Sequence, residues 1–595
     1  MIGKKGRHVR KKPRLQTSLR QYYDLLHRYL LPQRRTLIGL AALLLTSIAL
    51  QLVNPQIIRY FIDHAQGSGP MEQLIYAALV FIGFSLFNQI ISVIATYVSE
   101  NVGWRTTNTM RSDLASHCLS LDMSFHKKHT SGSIIERVDG DVNALANFFS
   151  SFIIHLAGNL LLMIGIIVLL FRENWLIGLG MTVFVAGALY LIQWIRKFAV
   201  PVWKQWREVN AEMYGFLGEQ LEGTEDIRAN GAAGFVMTRF FRLIRRMLPI
   251  RVRAFLGFAA MWCTTIIVFA LGNAMAFGIS AYLFTGGSIS IGTVYLIFHY
   301  TELLAKPIEK IRTQFEDLQK ADASIIRIRE LFETKPRIID GPGMRLPEGP
   351  LSLEFREVGF SYEEDKRTLE QLSFRLEKGE VLGLLGRTGS GKSTIARLLM
   401  RFYDPQEGEI RLGGVDIRQC KLSELRKKVA LVTQNIEIVQ GNVRDNLTFY
   451  DRSIPDEQMV EVLRELGLGR WYDSMPAGLD TPLDSGGGSL SAGEAQLLAF
   501  ARVFLTEPGL VILDEASSRL DPYTEHYIER AVSRLLEERT CIMIAHRLQT
   551  VHRADRILII EDGRLLETGA RRALAADADS RFSRMLATGM EEVLA

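Results

Sequence analysis

The chain has 595 residues, 48% of them hydrophobic and 23% charged, with a formal net charge of +5. Its mean hydropathy is +0.10, but the apolar residues concentrate in 36–310 while 340–595 reads as a soluble α/β domain. Disordered, collagenous and wholly soluble chains are excluded, the net charge is too small to argue for nucleic acid as a partner, and four scattered cysteines without a CxxC pair argue against a disulfide framework or a zinc site.

The first 35 residues hold eleven Lys and Arg and read as a basic cytoplasmic segment that meets lipid headgroups rather than nucleic acid. No short apolar region with a small-residue cleavage site precedes the first apolar run, so no removable signal peptide is expected. A helix needs about 20 apolar residues to cross the hydrocarbon core. Stretches 36–58, 73–99, 142–171 and 174–195 contain no Asp, Glu, Lys or Arg, and neither does 254–301, which is divided by Gly286-Gly287 and Ser288 to Ser290. These runs predict six spans in a membrane domain over 36–325.

Orientation follows the basic residues. Segment 196–253 holds eleven Lys and Arg and 100–141 holds five, whereas 64–72 and 284–291 hold none. The N-terminus, both long loops and the C-terminal half are therefore expected in the cytoplasm, with the protein a multi-pass component of the plasma (inner) membrane. The long inner segments predict helices that run out of the membrane, turn near 125–132 and 222–231, and return, each turn offering a surface to another domain. Single Asn, Gln and His residues within the spans, such as Asn54 and Asn88, suit helix–helix hydrogen bonds. Glu302, in the last span, either pairs with Lys306 one turn later or lines a substrate pathway.

Pro336, Gly341, Pro342, Gly343, Pro347, Gly349 and Pro350 mark a linker over 326–350, and a nucleotide-binding domain is expected over 351–595. After the apolar run 381–385 comes Gly386-Arg387-Thr388-Gly389-Ser390-Gly391-Lys392-Ser393-Thr394, followed by a helical pattern. This is a phosphate-binding loop in its required strand–loop–helix setting. The glycines let backbone N–H groups approach phosphates, the helix start favours negative charge, Lys392 suits the β- and γ-phosphates of ATP, and Ser393 suits Mg2+. A second apolar strand ends in Asp514-Glu515, where Asp514 suits the Mg2+ shell and Glu515 suits an attacking water. A third, 540–545, ends at His546, within reach of the same water or the γ-phosphate.

Residues 386–394, Leu490-Ser491-Ala492-Gly493-Glu494, 510–515, Ser518 to Asp521 and His546 together resemble, in order, the motif set of an ABC transporter ATPase. With six spans ahead of them, residues 20–590 resemble an ABC exporter half-transporter. The first inner loop (Phe125, Gly132, Arg137, Asp141) and the second (Gly223, Ile227, Arg228) are similar to coupling segments of that family. The fold implied is a membrane α-helical bundle of six spans with long cytoplasmic extensions, joined to an α/β P-loop ATPase domain. The resemblance implies export driven by ATP hydrolysis through alternating access, with two halves holding two ATP molecules between them. Catalytic roles fall to Glu515 and His546. Tyr362 matches the aromatic that stacks on adenine, Gln434 the Q-loop glutamine near Mg2+, and Asp521 the D-loop aspartate. Ser491, Gly493 and Glu494 match the signature that meets the partner chain's ATP.

Two departures stand out. Glu494 replaces a neutral residue of the signature. Its carboxylate either disfavours the partner's phosphates or closes a capping box with Ser491 on its own backbone. Upstream, Asp484-Ser485-Gly486-Gly487-Gly488 stands where exporters show Gly-Glu-x-Gly, with Ser485 in the glutamate's place. An intact Glu515 and His546 beside an altered signature resembles the competent subunit of a heterodimeric exporter of lipophilic or amphipathic substrates. A homodimeric lipid flippase is the alternative. The expected partners are a second half-transporter, membrane lipid and a small amphipathic substrate, with no nucleic acid.

Overall fold

The computed structural model describes residues 27–67, 69–147, 157–363, 366–433, 436–484, 490–514, 522–537, 539–545 and 548–588. They divide into two compact units, one of residues 1–119 and 131–334, the other of 120–130 and 335–595.

The first unit is helical. Among its described residues four helices are long and apolar enough to cross a membrane: His27–Gln66, Met71–Ser120, Trp175–Glu222 and Ala233–Thr285. Each outlasts its charge-free run by many residues, as in Ala233–Thr285, whose first third is basic and whose remainder is apolar. The run predicted as a third span is described as Val142–Asn147 and Ala157–Glu173, with 148–156 outside the described residues. The last predicted span is a 13-residue helix, Ile291–Leu303, continued after Leu304 by Ala305–Glu333. Gly286 to Ser290 make the expected turn. Its exit relies on Gly287, whose φ of 71° suits a residue without Cβ.

The core of this unit is aliphatic, with Ile166, Leu170, Met181, Leu296, Ile297 and Tyr300 fully buried. Polar contacts fix helix register where lipid offers none. Ser47 donates to Asn88 Oδ1 and Asn54 donates to Ser85 Oγ, both at 2.8 Å between the first two long helices. Tyr300 donates to Leu52 O at 2.7 Å. Asp63 accepts from Gly292 N–H at 2.9 Å and Ser290 Oγ at 2.7 Å, capping the helix Ile291–Leu303 from the end of Arg34–Gln66. Nearby, Arg59 pairs with Glu173 at 2.6 Å. At the other end, the buried Asp141 accepts from Ser324 at 2.9 Å and from Nε and one terminal nitrogen of Arg327. The turn 222–231 forms an exposed short helix, Thr224–Ala229.

The second unit holds two main sheets. The smaller pairs Leu353–Glu363 antiparallel with Lys366–Leu376 and Glu407–Leu412. The larger has six strands, in the spatial order Arg564–Ala570, Arg556–Glu561, Val381–Leu385, Thr540–Ile544, Leu510–Asp514, Val429–Val432. The five strands from Arg556–Glu561 to the edge strand Val429–Val432 are parallel and read as apolar runs because helices cover both faces. Cys118, Cys420 and Cys541 are buried, Cys263 is exposed, and no pair is bridged.

The turn near 125–132 has a helix of its own, Met123–Lys128, capped by the Asp122 side chain. Although flanked by membrane helices, residues 120–130 belong to the nucleotide-binding unit. Asp122 Oδ2 accepts the backbone N–H of Arg337 at 2.8 Å, and Phe125 is buried.

Candidate functional site

The strand Val381–Leu385 lies between Thr540–Ile544 and Arg556–Glu561, buried along its whole length. Its C-terminal end releases the loop 386–391 into the helix Lys392–Leu399. Parallel sheets place their strand ends, and hence their binding loops, on one edge. Three loop glycines take positive φ: 153° at Gly386, 85° at Gly389 and 108° at Gly391. At Gly386 an added Cβ would stand 2.2 Å from Ile560 O, and at Gly391 2.7 Å from Leu369 Cδ2, whereas at Gly389 it would meet nothing within 4 Å. Two of the glycines are therefore required by the protein's own packing, and Gly389 stands open to whatever the loop holds. Arg387, Thr388 and Gly389 are exposed, while Ser390 and Lys392 are buried.

Lys392 reaches back over the loop. Its Nζ donates to Gly386 O at 2.5 Å and to Arg387 O at 3.1 Å. A buried ammonium hydrogen-bonded to loop carbonyls at a helix start, with Arg387 to Gly389 exposed, suits an anion. Ser393 is exposed at the first turn of the helix, and Asp514 ends the strand Leu510–Asp514 opposite Ile544 of the next strand. Hydroxyl and carboxylate oxygens of this kind suit Mg2+, which keeps several waters and takes phosphate oxygens as further ligands. No group of three His, Cys, Asp or Glu positioned to hold a metal occurs among the described residues, and a magnesium shared with phosphates needs none.

An aromatic platform adjoins the loop. The Tyr362 hydroxyl lies 3.2 Å from Thr394 Oγ1 and accepts from Arg397 at 2.9 Å. That hydrogen bond, helped by the charge of Asp514, raises Arg397 above its ordinary pKa. The ring makes edge contacts with Phe360 and Tyr403, with centroids 4.9 and 5.1 Å away, and its inner side packs on the hydrophobic core. Lys127, from the helix Met123–Lys128, stands over the ring with Nζ 4.5 Å from its centroid.

The signature segment starts a different helix, Ala492–Thr506. Ser491 is the N-cap. Its Oγ accepts Glu494 N–H at 3.2 Å, while Glu494 Oε2 accepts both Ser491 N–H at 2.8 Å and Ser491 Oγ at 2.9 Å. Both halves of a capping box are present, so the carboxylate turns back to its own helix start. Gly493 is buried beneath it. Further along, Arg502 donates to Asn446 O at 2.7 Å, and burial pulls its pKa down to about 10.

Tyr362, Gly386 to Thr394 and Asp514 thus gather around one end of the parallel sheet, and Ser491, Gly493 and Glu494 form a second cluster. Glu302 is exposed, and its sequence partner Lys306 has a side chain outside the described set. Glu515, His546, Gln434, Asp521 and Ser485 lie outside the described residues. Lys127, Arg397 and Tyr403 are additions that the sequence did not disclose. Lys127 is one lysine in a short basic turn, and only its spatial placement sets it apart.

A fused helical domain and P-loop domain of this build define a class. The family model of the ABC transporter transmembrane region matches residues 37–308, and that of the ABC transporter matches 369–518. The chain belongs to the ABC transporter family: it is an exporter of the half-transporter type, an ATP-binding ATPase coupled to transport, and a membrane protein. It is 30% identical over 546 residues to an uncharacterized ABC transporter ATP-binding protein, YknV, of Bacillus subtilis strain 168, covering 91% of this chain and 90% of the relative. It is 28% identical over 547 residues to the ATP-dependent lipid A-core flippase of Escherichia coli K12, covering 90% and 93%. Its fold is similar to that of a bacterial Atm1-family ABC exporter solved with ATP bound, with a TM-score of 0.78 and 23% identity over 94% of this chain and 98% of that one. ABC exporters work as dimers.

Proposed function

We propose that this chain is the hydrolytically competent half of a heterodimeric exporter that moves an amphipathic or lipophilic substrate, lipid included, across the plasma membrane. What supports the asymmetry is an acid, Glu494, in the signature of a chain whose phosphate loop is unaltered; the capping box turns that acid towards its own helix start but leaves its charge at the signature. In this reading the chain's own loop binds ATP well, while its signature offers the partner's ATP a serine already hydrogen-bonded to an acid.

The roles proposed are those the sequence motifs imply. Tyr362 supports the adenine. Backbone N–H groups of the loop orient the phosphates, and Lys392 leaves the carbonyls of Gly386 and Arg387 to neutralise them. Ser393, Asp514 and Gln434 would hold Mg2+, which when bound draws charge from the phosphate oxygens. Glu515 orients and deprotonates the water, and His546 positions it against the γ-phosphate. Asp521 completes the contact between the two nucleotide domains. Ser491 and Gly493 face the partner's nucleotide. ATP bound between the halves favours closure because it meets both only when they are together, and hydrolysis removes that difference. The distribution of Lys and Arg supports a cytoplasmic nucleotide domain and N-terminus. Similarity to proteins named lipid A-core flippases supports a lipid-like substrate, and Glu302 is the candidate substrate contact in the last span.

The test is ATP turnover and particle mass of the chain in lipid, alone and after co-expression with an adjacently encoded half-transporter. Activity only in a mixed particle is expected. Full turnover from a particle of twice the chain mass overturns the heterodimer and leaves the homodimeric flippase.

A further inference from the structure

The geometry points to Lys127 as a base-sensing residue of the nucleotide site, delivered by the first inner loop of the membrane half. The inference rests on the reading of Tyr362 as the base platform.

Three observations carry it. Tyr362 packs against the core cluster of Phe360, Leu369 and their neighbours, and of the two cations over its ring Lys127, with Nζ at 4.5 Å, stands closer than Arg397, at 5.8 Å and tied to the hydroxyl. That distance is inside the range of a cation–π contact, about 6 Å. Second, the ring is tied to the phosphate loop through Thr394 Oγ1 at 3.2 Å, so a base whose phosphates lie on 386–394 finds this platform first. Third, the helix that brings Lys127 is fixed at its other end. Asp122 caps it and accepts Arg337 N–H at 2.8 Å.

A base and an ammonium cannot cover the same accessible ring face. Stacking of the base therefore expels the Lys127 ammonium to water, where it is well hydrated. That removes one of the contacts joining the helix Met123–Lys128 to the nucleotide domain while the Asp122 anchor remains. By reciprocity, anything that presses this helix onto Tyr362 weakens base binding by the same factor. The nucleotide site thus reads the membrane half through the base, separately from the phosphates.

The test uses the full chain in lipid nanodiscs, titrated by calorimetry with AMP-PNP, which carries the base, and with inorganic tripolyphosphate, which does not. Lys127 is exposed, so Lys127→Met disturbs no core. An exposed cation–π contact of about 0.5–1 kcal/mol corresponds to a factor of about 2–5 in a dissociation constant. In Lys127→Met the ratio of tripolyphosphate to AMP-PNP dissociation constants should rise about 2–5-fold. In Lys127→Arg, whose guanidinium keeps the ring contact, the ratio should stay at the wild-type value. An unchanged or lower ratio in Lys127→Met overturns the role of Lys127. A wild-type chain that binds tripolyphosphate but gains nothing from the base overturns the reading of Tyr362 as well.

Discussion

Substituting Glu494→Gln separates the two meanings of the altered signature. The amide keeps the side chain's shape and an oxygen that can accept from Ser491 N–H and Oγ, now 2.8 and 2.9 Å away. What it removes is the charge. At a helix N-terminus that charge contributes about 0.3–1 kcal/mol, so the nucleotide domain should melt about 1–4 °C lower by the scaling for domains of its size. Towards a phosphate the sign reverses. At a separation of ~6 Å, one pair of unit charges repels by about 0.7 kcal/mol in a dielectric of 80 and about 2.8 kcal/mol in one of 20. Those energies correspond to about 3-fold and 100-fold in affinity. The assay pairs a thermal melt with the ATP dependence of turnover in the assembled exporter. The expected result is a small loss of melting temperature together with a fall of at least about 3-fold in the ATP concentration giving half-maximal turnover. If the melt falls and the ATP dependence does not move, Glu494 is a helix cap only, and the electrostatic account of the asymmetry is wrong.

Two further outcomes follow from local geometry. Gly386→Ala should abolish ATP binding and destabilise the domain, because its Cβ would lie 2.2 Å from Ile560 O, an atom of a central strand. Gly389→Ala bears only the backbone strain of its φ of 85°, about 1–3 kcal/mol, and equal melting losses in the two variants would refute the packing argument. For Asp122, burial alone would raise the carboxyl. Hydrogen bonds from Ser124, Arg337 N–H and Phe125 N–H, with the Arg337 charge, outweigh it and hold the pKa below its ordinary value. A lowered folded pKa means stability that is complete above the unfolded value and lost as pH falls through the folded one. The melting advantage of wild type over Asp122→Asn should therefore be constant from pH 5 to 8, measured by thermal melts, and fade below the unfolded carboxylate pKa of about 3.9. An advantage that instead fades towards alkaline pH would contradict the assignment.

Much of the chain was legible before any tertiary contact was known. A charge-free run long enough to span the hydrocarbon core can satisfy its backbone only as a helix, so 36–58, 73–99 and 174–195 announced their helices directly. A buried strand followed by Gly386 to Thr394 has one sensible local structure, since positive φ at Gly386, Gly389 and Gly391 needs glycine. These features are encoded within windows of a dozen or so residues. Helix ends were less legible, because the long cytoplasmic extensions carry charge on the same helix that is apolar within the membrane.

Only the tertiary structure decided contacts between residues far apart in the chain. It showed Glu494 turned onto Ser491, where sequence left two outcomes open, because rotamer and hydrogen-bond choice belong to the folded helix start. It joined Asp122 to Arg337 and Lys127 to Tyr362, across more than 200 residues each. It placed residues 120–130 with the nucleotide domain although membrane helices flank them. No periodicity records such meetings. A lysine in a short basic turn has the same local signature whether it faces water or an aromatic ring, and the fold alone determines which it meets.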